Sequence, residues 1–351
     1  MTITTLHLTF TETLDRIATG RYGVDDLVRA LAADGDDERE LFDLGDAARR
    51  ESMGEAVHLR ALIEFSNYCS RFCEYCGLRS PNVQLERYRM EPAEIIETAV
   101  HAASLGYRTV VLQSGEDAWY DRAKIAQVVR GIKARCDIAL TLCVGERPTA
   151  DYAAWREAGA DRYLLRIETT NRALYRRLHP HMSFDNRLAC LRALRDLGYQ
   201  VGSGVLVGLP GQTLQMLAED LRFMGEFRPD MVGYGPLIPH DQTPLASSPK
   251  GSVDVTLRMM AITRLLLPQA YIVSTTALGT LDPLGREKGL QVGGNVVMPN
   301  VTPQRYRAFY EIYPDKICID ESAEKCRGCI ELRVRSIGRH IATDPGHAPG
   351  C

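Results

Sequence analysis

Six of the ten cysteines in this 351-residue chain fall into two tight triads, Cys69-x3-Cys73-x2-Cys76 and Cys318-x7-Cys326-x2-Cys329. Three closely spaced thiolates can hold three irons of a cubane and leave the fourth iron without a protein ligand, open to coordination by a small molecule. Three cysteines joined by a remote histidine also form an accepted zinc set, so zinc is the alternative. The C-x3-C-x2-C spacing, with the aromatic Tyr75 just before the last cysteine, is far more specific than a lone CxxC. The second triad again suggests an iron–sulfur cluster, [2Fe-2S] or [4Fe-4S], and peripheral structural zinc is a stronger rival there. Cys136, Cys143, Cys190 and Cys351 are scattered and are assigned no chemistry; for Cys143 and Cys190, in apolar patterns, a small buried thiol suffices.

Further polar residues fall where loops follow apolar segments. In Leu164-Leu165-Arg166-Ile167-Glu168-Thr169, period two puts Arg166 and Glu168 on one face. They read either as a structural ion pair at a barrel mouth or as ligands, Arg166 for an anionic substrate and Glu168 for the amino-acid or ribose part of a cofactor. Arg187 lies early in a helix beginning after Ser183, where the helix dipole disfavours a cation, so it asks for an anionic partner; a cofactor carboxylate would serve, and a plain surface arginine is the alternative. Gly208-Leu209-Pro210-Gly211-Gln212-Thr213 leads into a helix with Thr213 as N-cap. His179-Pro180-His181 has the look of a metal pair, but the proline favours an ordinary extended loop.

The elements that must position these residues alternate short β-rich segments with amphipathic helices, the pattern of a parallel sheet. Strands are predicted over Leu59–Phe65, Thr109–Gln113, Ala139–Val144, Tyr163–Ile167, Val201–Val207, Met231–Tyr234, Tyr271–Ser274 and Asn295–Val297. Eight such units in about 250 residues predict an α/β fold, a (β/α)8 TIM-type barrel, whose active site lies at the C-terminal ends of the strands. The first triad follows strand one and so falls on that face. Three regions are expected: a helical lead-in over 1–55, with helices Val24–Ala32 and Glu38–Arg50 separated by a turn at Asp34-Gly35-Asp36; the barrel over 56–312; and an extension over 313–351 carrying the second triad and an irregular Pro/Gly-rich end from Ala342.

Composition excludes several classes. A net charge of −3 with mixed signs offers no basic stripe for nucleic acid. With 45% hydrophobic and 25% charged residues and no long apolar run, no membrane segment is expected. The N-terminus lacks the basic start and apolar core of a secretory signal, which points to a cytoplasmic protein acting on a small molecule.

The first triad resembles the signature of the radical S-adenosylmethionine (SAM) superfamily. That resemblance implies a [4Fe-4S] cluster, SAM chelated at the open iron, a reducing electron donor, and release of a 5′-deoxyadenosyl radical into a water-free chamber. Tyr75 matches the position beside the adenine. The turn from Gln113 through Ser114, Gly115 and Glu116 to Asp117 is similar to the one that holds the methionine amino group, with Ser114 in place of its first glycine. Longer stretches, C-G-L-R from Cys76, V-L-Q-S-G-E-D from Val111, A-G-A-D-R-Y-L-L-R from Ala158, V-G-L-P-G-Q-T from Val207, T-T-A-L-G-T from Thr275, N-V-V-M-P-N from Asn295 and Y-P-D-K-I-C from Tyr313, resemble the HydE family of [FeFe]-hydrogenase maturases. This implies a substrate cavity lined by Thr141, Arg166, Thr275, Thr276, Tyr310 and Tyr313, with Met298 near the adenosyl group. The implied substrate is an organometallic iron carbonyl–cyanide precursor bearing a cysteine-derived ligand, and other maturases are implied partners. Ile167 stands where at least one family member has His. Methylornithine synthase and biotin synthase are the rivals within the same chemistry; an iron–sulfur carrier is the rival outside it, and the inward Arg166 and Glu168 count against that.

Overall fold

The computed structural model describes residues 8–349. Eight parallel strands form a ring: Ala56–Ser66, Thr109–Ser114, Ala139–Cys143, Arg162–Leu164, Gln200–Ser203, Met231–Gly233, Tyr271–Val273 and Val296–Val297. The ring closes where strand eight pairs back on strand one, His58 opposite Val296 and Leu59 opposite Val297. Strand one is the longest and pairs with strand two from Arg60↔Thr109 to Ser66↔Ser114, with a register shift between Glu64 and Ser66 where the chain turns into the cysteine loop. The expected (β/α)8 barrel is therefore present.

Two predicted strands are cut short at the mouth. Strand four stops at Leu164, so Arg166 and Glu168 lie beyond it, and Glu168 adopts a left-handed φ of 65° in an isolated bridge to Val205. The predicted Val201–Val207 breaks after Ser203. A side chain at Gly204 would collide with the Gly233 backbone, and the chain resumes as a separate pair, Leu206–Val207 on Gly235–Pro236.

The lead-in holds more helix than expected. Thr9 and Glu12 form a reciprocal capping box on Phe10–Ala18, and Val24–Leu31 follows. The break between the two helices falls at residues 32–34, slightly before the expected turn: Asp34 is the extended N-cap of Gly35–Met53, a 19-residue helix. That helix packs closely on Val253–Leu266, because Gly45 lies against Ala261 where a Cβ would have no room.

At the opposite end, the extension returns to the barrel. His340–Ile341 pairs in parallel with Ala56–Val57, and the irregular segment after it runs beneath the strands. Arg162 donates to the Pro345 and Gly346 carbonyls at 2.8 and 2.7 Å, and the Tyr271 hydroxyl donates to the His347 carbonyl at 3.2 Å. Cys351 lies outside the described residues.

Asp220, on the helix Leu214–Phe227, accepts from both the amide and the hydroxyl of Thr170 at 2.6 Å and so steadies the turn just past Glu168. Burial raises its pKa to about 7, with the Thr170 bonds opposing. A carboxyl whose folded pKa exceeds its unfolded one costs stability as pH rises above the unfolded value of about 3.9, and the cost levels off above the folded pKa. Asp220→Asn is therefore expected to gain thermal stability over the parent increasingly between pH 5 and pH 7, with a constant advantage above pH 7, as read from melting midpoints across that range.

Candidate active site

The cysteine loop is pinned from every side. Asn67 donates to the Glu86 and Phe309 carbonyls at 2.7 Å, Ser70 N donates to Glu116 O at 3.0 Å, and Gly77 N donates to Ile312 O at 3.1 Å. Gly115 is required here: a Cβ would overlap the Tyr68 carbonyl and Cys69, so the turn after strand two can lie flat on the loop only without a side chain. The Cys69 sulfur accepts from the Arg71 and Glu116 amides at 3.5 and 3.4 Å. Burial pushes the Cys73 thiol well up, with repulsion from Cys76 and Cys69 adding to it, and burial pushes Cys76 up to about 12. Three thiols that oppose one another's ionisation are stable as thiolates only around a cation.

A partly buried ionic chain fixes this loop to its neighbours. Arg71 Nε lies 2.5 Å from Glu116 Oε2, its Nη2 lies 3.6 Å from Glu146 Oε2, and Arg187 Nε lies 2.8 Å from Glu146 Oε1. Glu146 N donates to Glu116 Oε1 at 3.0 Å. Arg187 thus has the anionic partner its helix position asks for, and that partner is a protein carboxylate; its Nη1 also donates to the Arg166 carbonyl at 3.2 Å.

A chamber of about 370 Å³ opens beside the loop. It is lined by Cys73, Tyr75, Cys76, Gln113, Ser114, Arg166, Glu168, Thr275, Thr276, Met298, Tyr310 and Tyr313, bringing together most of the residues singled out in the sequence. Thr141 is elsewhere. In register with Arg162 at the start of strand four, it sits a level lower and borders a small void with Arg60, Arg162 and Met231. Tyr75 is half-buried in the chamber wall, and His179, expected in an ordinary loop, is its partner. Burial lowers the His179 pKa to about 3. The neutral ring donates from Nδ1 to the Tyr175 carbonyl at 3.0 Å, leaving Nε2 to accept the Tyr75 hydroxyl at 2.9 Å.

Arg166 Nη2 approaches Glu168 Oε2 at 3.0 Å, yet both atoms, with Arg166 Nε, lack an aligned hydrogen bond. Burial raises the Glu168 pKa, opposed by Arg166 and Arg187. The sequence reading missed Glu64 and Lys316, which pair at 2.7 and 2.8 Å in the chamber wall, and Arg286, which lines it too. Lys316 lies within Y-P-D-K-I-C, so its motif was visible while its role was not.

The second triad is only partly assembled. Among the described residues, Cys318, Glu321 and Cys326 bring ligand atoms within 4.8 Å of one another, whereas Cys329 is exposed on the helix Ala323–Ser336. A loop carboxylate therefore occupies the place expected for the third thiol. Cys318, with a φ of 66°, also borders the chamber.

Residues 63–224 match the Radical SAM superfamily. The [FeFe] hydrogenase maturase subunit HydE of Thermotoga maritima is 51% identical over 87% of this chain and 88% of that one. The chain belongs to the HydE family. 3-Methylornithine synthase of Methanosarcina acetivorans is more distant, at 30% identity over 78% of each chain. The crystal structure of a methylornithine synthase (PylB) superposes with a TM-score of 0.81 at 26% identity, covering 94% of this chain and 97% of that one. HydE-family membership makes the chain a radical SAM enzyme, with a [4Fe-4S] cluster and SAM as its cofactors. The site fits them: three mutually repelling thiols call for a cationic cluster, and unpaired polar atoms of Arg166 and Glu168 face the adjoining chamber.

Removing one member of a buried ion pair strands its partner's charge, at a cost of about 3–5 kcal/mol. Glu146→Gln and Arg187→Gln are each expected to destabilise the apoprotein on that order. The double variant should lose less than the sum of the two, since neither charge is then left alone, and urea denaturation of all four proteins reads this coupling.

Proposed function

We propose that the chain cleaves SAM reductively at a [4Fe-4S] cluster held by Cys69, Cys73 and Cys76 and directs the radical onto a small iron-bound substrate during assembly of the [FeFe]-hydrogenase H-cluster. The observation that carries this reading is that Cys73 and Cys76 open into the same chamber as Tyr75, Arg166 and Glu168. When bound, the cluster and cofactor supply an electron and a 5′-deoxyadenosyl radical.

The chain's own residues then bind, orient and exclude water. Tyr75, immobilised by His179, offers its ring to the adenine. The Gln113–Ser114 turn and Glu168 hold the polar parts of the cofactor, and Met298 packs against the adenosyl group. Arg187 acts as a positioning residue through Glu146 and the Arg166 carbonyl. Arg166, Thr275, Thr276, Tyr310 and Tyr313 face the substrate, and Thr141 supports the chamber from below. The kinship to a relative named as a hydrogenase maturase supports an iron carbonyl–cyanide precursor with a cysteine-derived ligand as that substrate, and other maturases and a reducing electron donor as partners.

Cys318 and Cys326, completed by Glu321 or by a reoriented Cys329, hold a second metal centre, an iron–sulfur cluster by preference over zinc. The chain divides into a lead-in to residue 55, a barrel to 312 and an extension, and it acts in the cytoplasm; no described helix is long and apolar enough to cross a membrane.

Anaerobic reconstitution with iron and sulfide, followed by electron paramagnetic resonance of the dithionite-reduced protein, tests the reading. A [4Fe-4S] signal that shifts on adding SAM, accompanies 5′-deoxyadenosine formation and is absent in Cys73→Ala is the expected result. A cluster indifferent to SAM, or a protein that takes up only zinc, overturns it.

A further inference from the structure

The electron that starts the reaction has to reach the cluster from outside the chain, and the chamber side of the cysteine loop is given to cofactor and substrate. The loop's other face is the way in. Cys73, Tyr75 and Cys76 line the chamber, whereas Ser70 and Phe72, between the first two cysteines, are exposed. Phe72 adjoins Cys73 in sequence, is 37% exposed and meets the His181 ring edge-on, 5.2 Å between centroids. Beside it, Ser80 N donates to Arg71 O at 2.7 Å and Arg79 Nη2 to Phe72 O at 3.4 Å, which folds the turn at residues 79–84 against the loop. That turn carries Val83, 91% exposed and the most exposed large apolar side chain among the described residues. Glu74 N donates to Leu178 O at 2.9 Å, so the end of the helix Arg172–Leu178 borders the loop on another side.

Charge on this face is predominantly positive. The stretches 69–89 and 172–185 hold seven arginines and three carboxylates in a chain of net charge −3. Arg71, Arg89 and Arg172 are paired, with Glu116, Asp117 and Asp185. The other four, Arg79, Arg87, Arg176 and Arg177, form no ion pair among the described residues: Arg79, Arg87 and Arg177 donate to backbone carbonyls, and Arg176 is exposed. In these stretches Glu74 and Glu86 are the carboxylates left to set against them. A small apolar spot ringed by unpaired arginines suits a brief encounter with an acidic protein, because unlike charges steer the approach and a small interface lets the partner leave.

We propose that this face, with Phe72 and Val83 at its centre and Arg79, Arg176 and Arg177 around them, docks an acidic, low-potential iron–sulfur protein that delivers the electron. This rests on the radical reading given above. One electron passes from the carrier's reduced cluster, which is oxidised, to the cluster held by Cys69, Cys73 and Cys76, which is reduced; no bond forms or breaks in the transfer. A carrier seated on Phe72 stands one residue from the ligand Cys73, on the side away from the chamber, so the electron enters without opening the chamber to water.

The test follows 5′-deoxyadenosine formation by the reconstituted enzyme with SAM, driven either by dithionite, which needs no docking surface, or by a pre-reduced acidic ferredoxin of the two-[4Fe-4S] type. The double variant Arg176→Glu/Arg177→Glu and the single variant Val83→Glu are expected to lose at least about tenfold in the ferredoxin-driven rate and to keep the dithionite-driven rate. The parent's ferredoxin-driven rate should fall as salt is raised, and the double variant should lose that dependence. Arg108→Glu, an exposed charge reversal at the start of strand two on the opposite end of the barrel, should leave both rates in place. Variants that lower both rates alike, an unchanged ferredoxin-driven rate in the double variant, or an equal loss in Arg108→Glu overturns the proposal. So does a parent that accepts electrons from a flavodoxin-type flavin carrier and not from the ferredoxin. A parent that forms no 5′-deoxyadenosine even with dithionite fails at the radical reading itself, which separates that failure from failure of the docking face.

Discussion

The site depends on the partly buried ionic chain from Glu116 through Arg71 and Glu146 to Arg187. Two of its four charges, Glu146 and Arg187, are buried and the other two partly so, and such burial is worth its desolvation cost only when each charge has a near partner in a fixed place. That requirement ties together the cysteine loop, the turn after strand two, the loop after strand three and the helix Phe184–Asp196, none of which is adjacent in sequence. Gly115 and Gly145 make the clamp sterically feasible, since a side chain at either would strike Cys69 or Glu116. This clamp holds the backbone around the three thiols in place.

The same economy governs the lower end of the barrel. Arg60 and Arg162 are buried there, and carbonyls of the tail meet them, with Gly346 O serving both. Arg60 also lies over the Tyr271 ring, 4.8 Å from its centroid. Polar backbone turned upward thus closes the barrel from below, so the chain's last segment belongs to the enclosure although its Pro/Gly-rich sequence reads as an irregular end. A chamber meant to keep water from a reactive intermediate has to be shut at both ends.

What the sequence made legible follows from what local pattern encodes. Strand number and the parallel order were readable because each βα unit carries its own period, and the first triad because its ligands lie within eight residues of one another. Arg166 and Glu168 do line the chamber, although they lie past the end of strand four, where strand period no longer applies, and Thr141, which the family resemblance put in the chamber, lies a layer beneath. The second helix of the lead-in begins three residues earlier than expected, at Gly35, because Asp34 serves as its N-cap instead of opening a turn. Glu146 as the partner of Arg187, Glu64 as the partner of Lys316 and Glu321 beside Cys318 and Cys326 are contacts that no residue's neighbours in sequence announce, apart from the short span around Glu321.

Polar atoms in a folded interior nearly always find partners, and a barrel can arrange them because loops from eight strands converge on one mouth. Around this chamber the rule is suspended at related points: Arg166 Nε and Nη2, Glu168 Oε2, Thr275 Oγ1 and Arg286 Nε are all buried and unbonded, while Lys316 and Glu64 in the same wall are fully engaged. Beside thiols that need a metal, these atoms are free to take their last hydrogen bonds from ligands bound in the chamber.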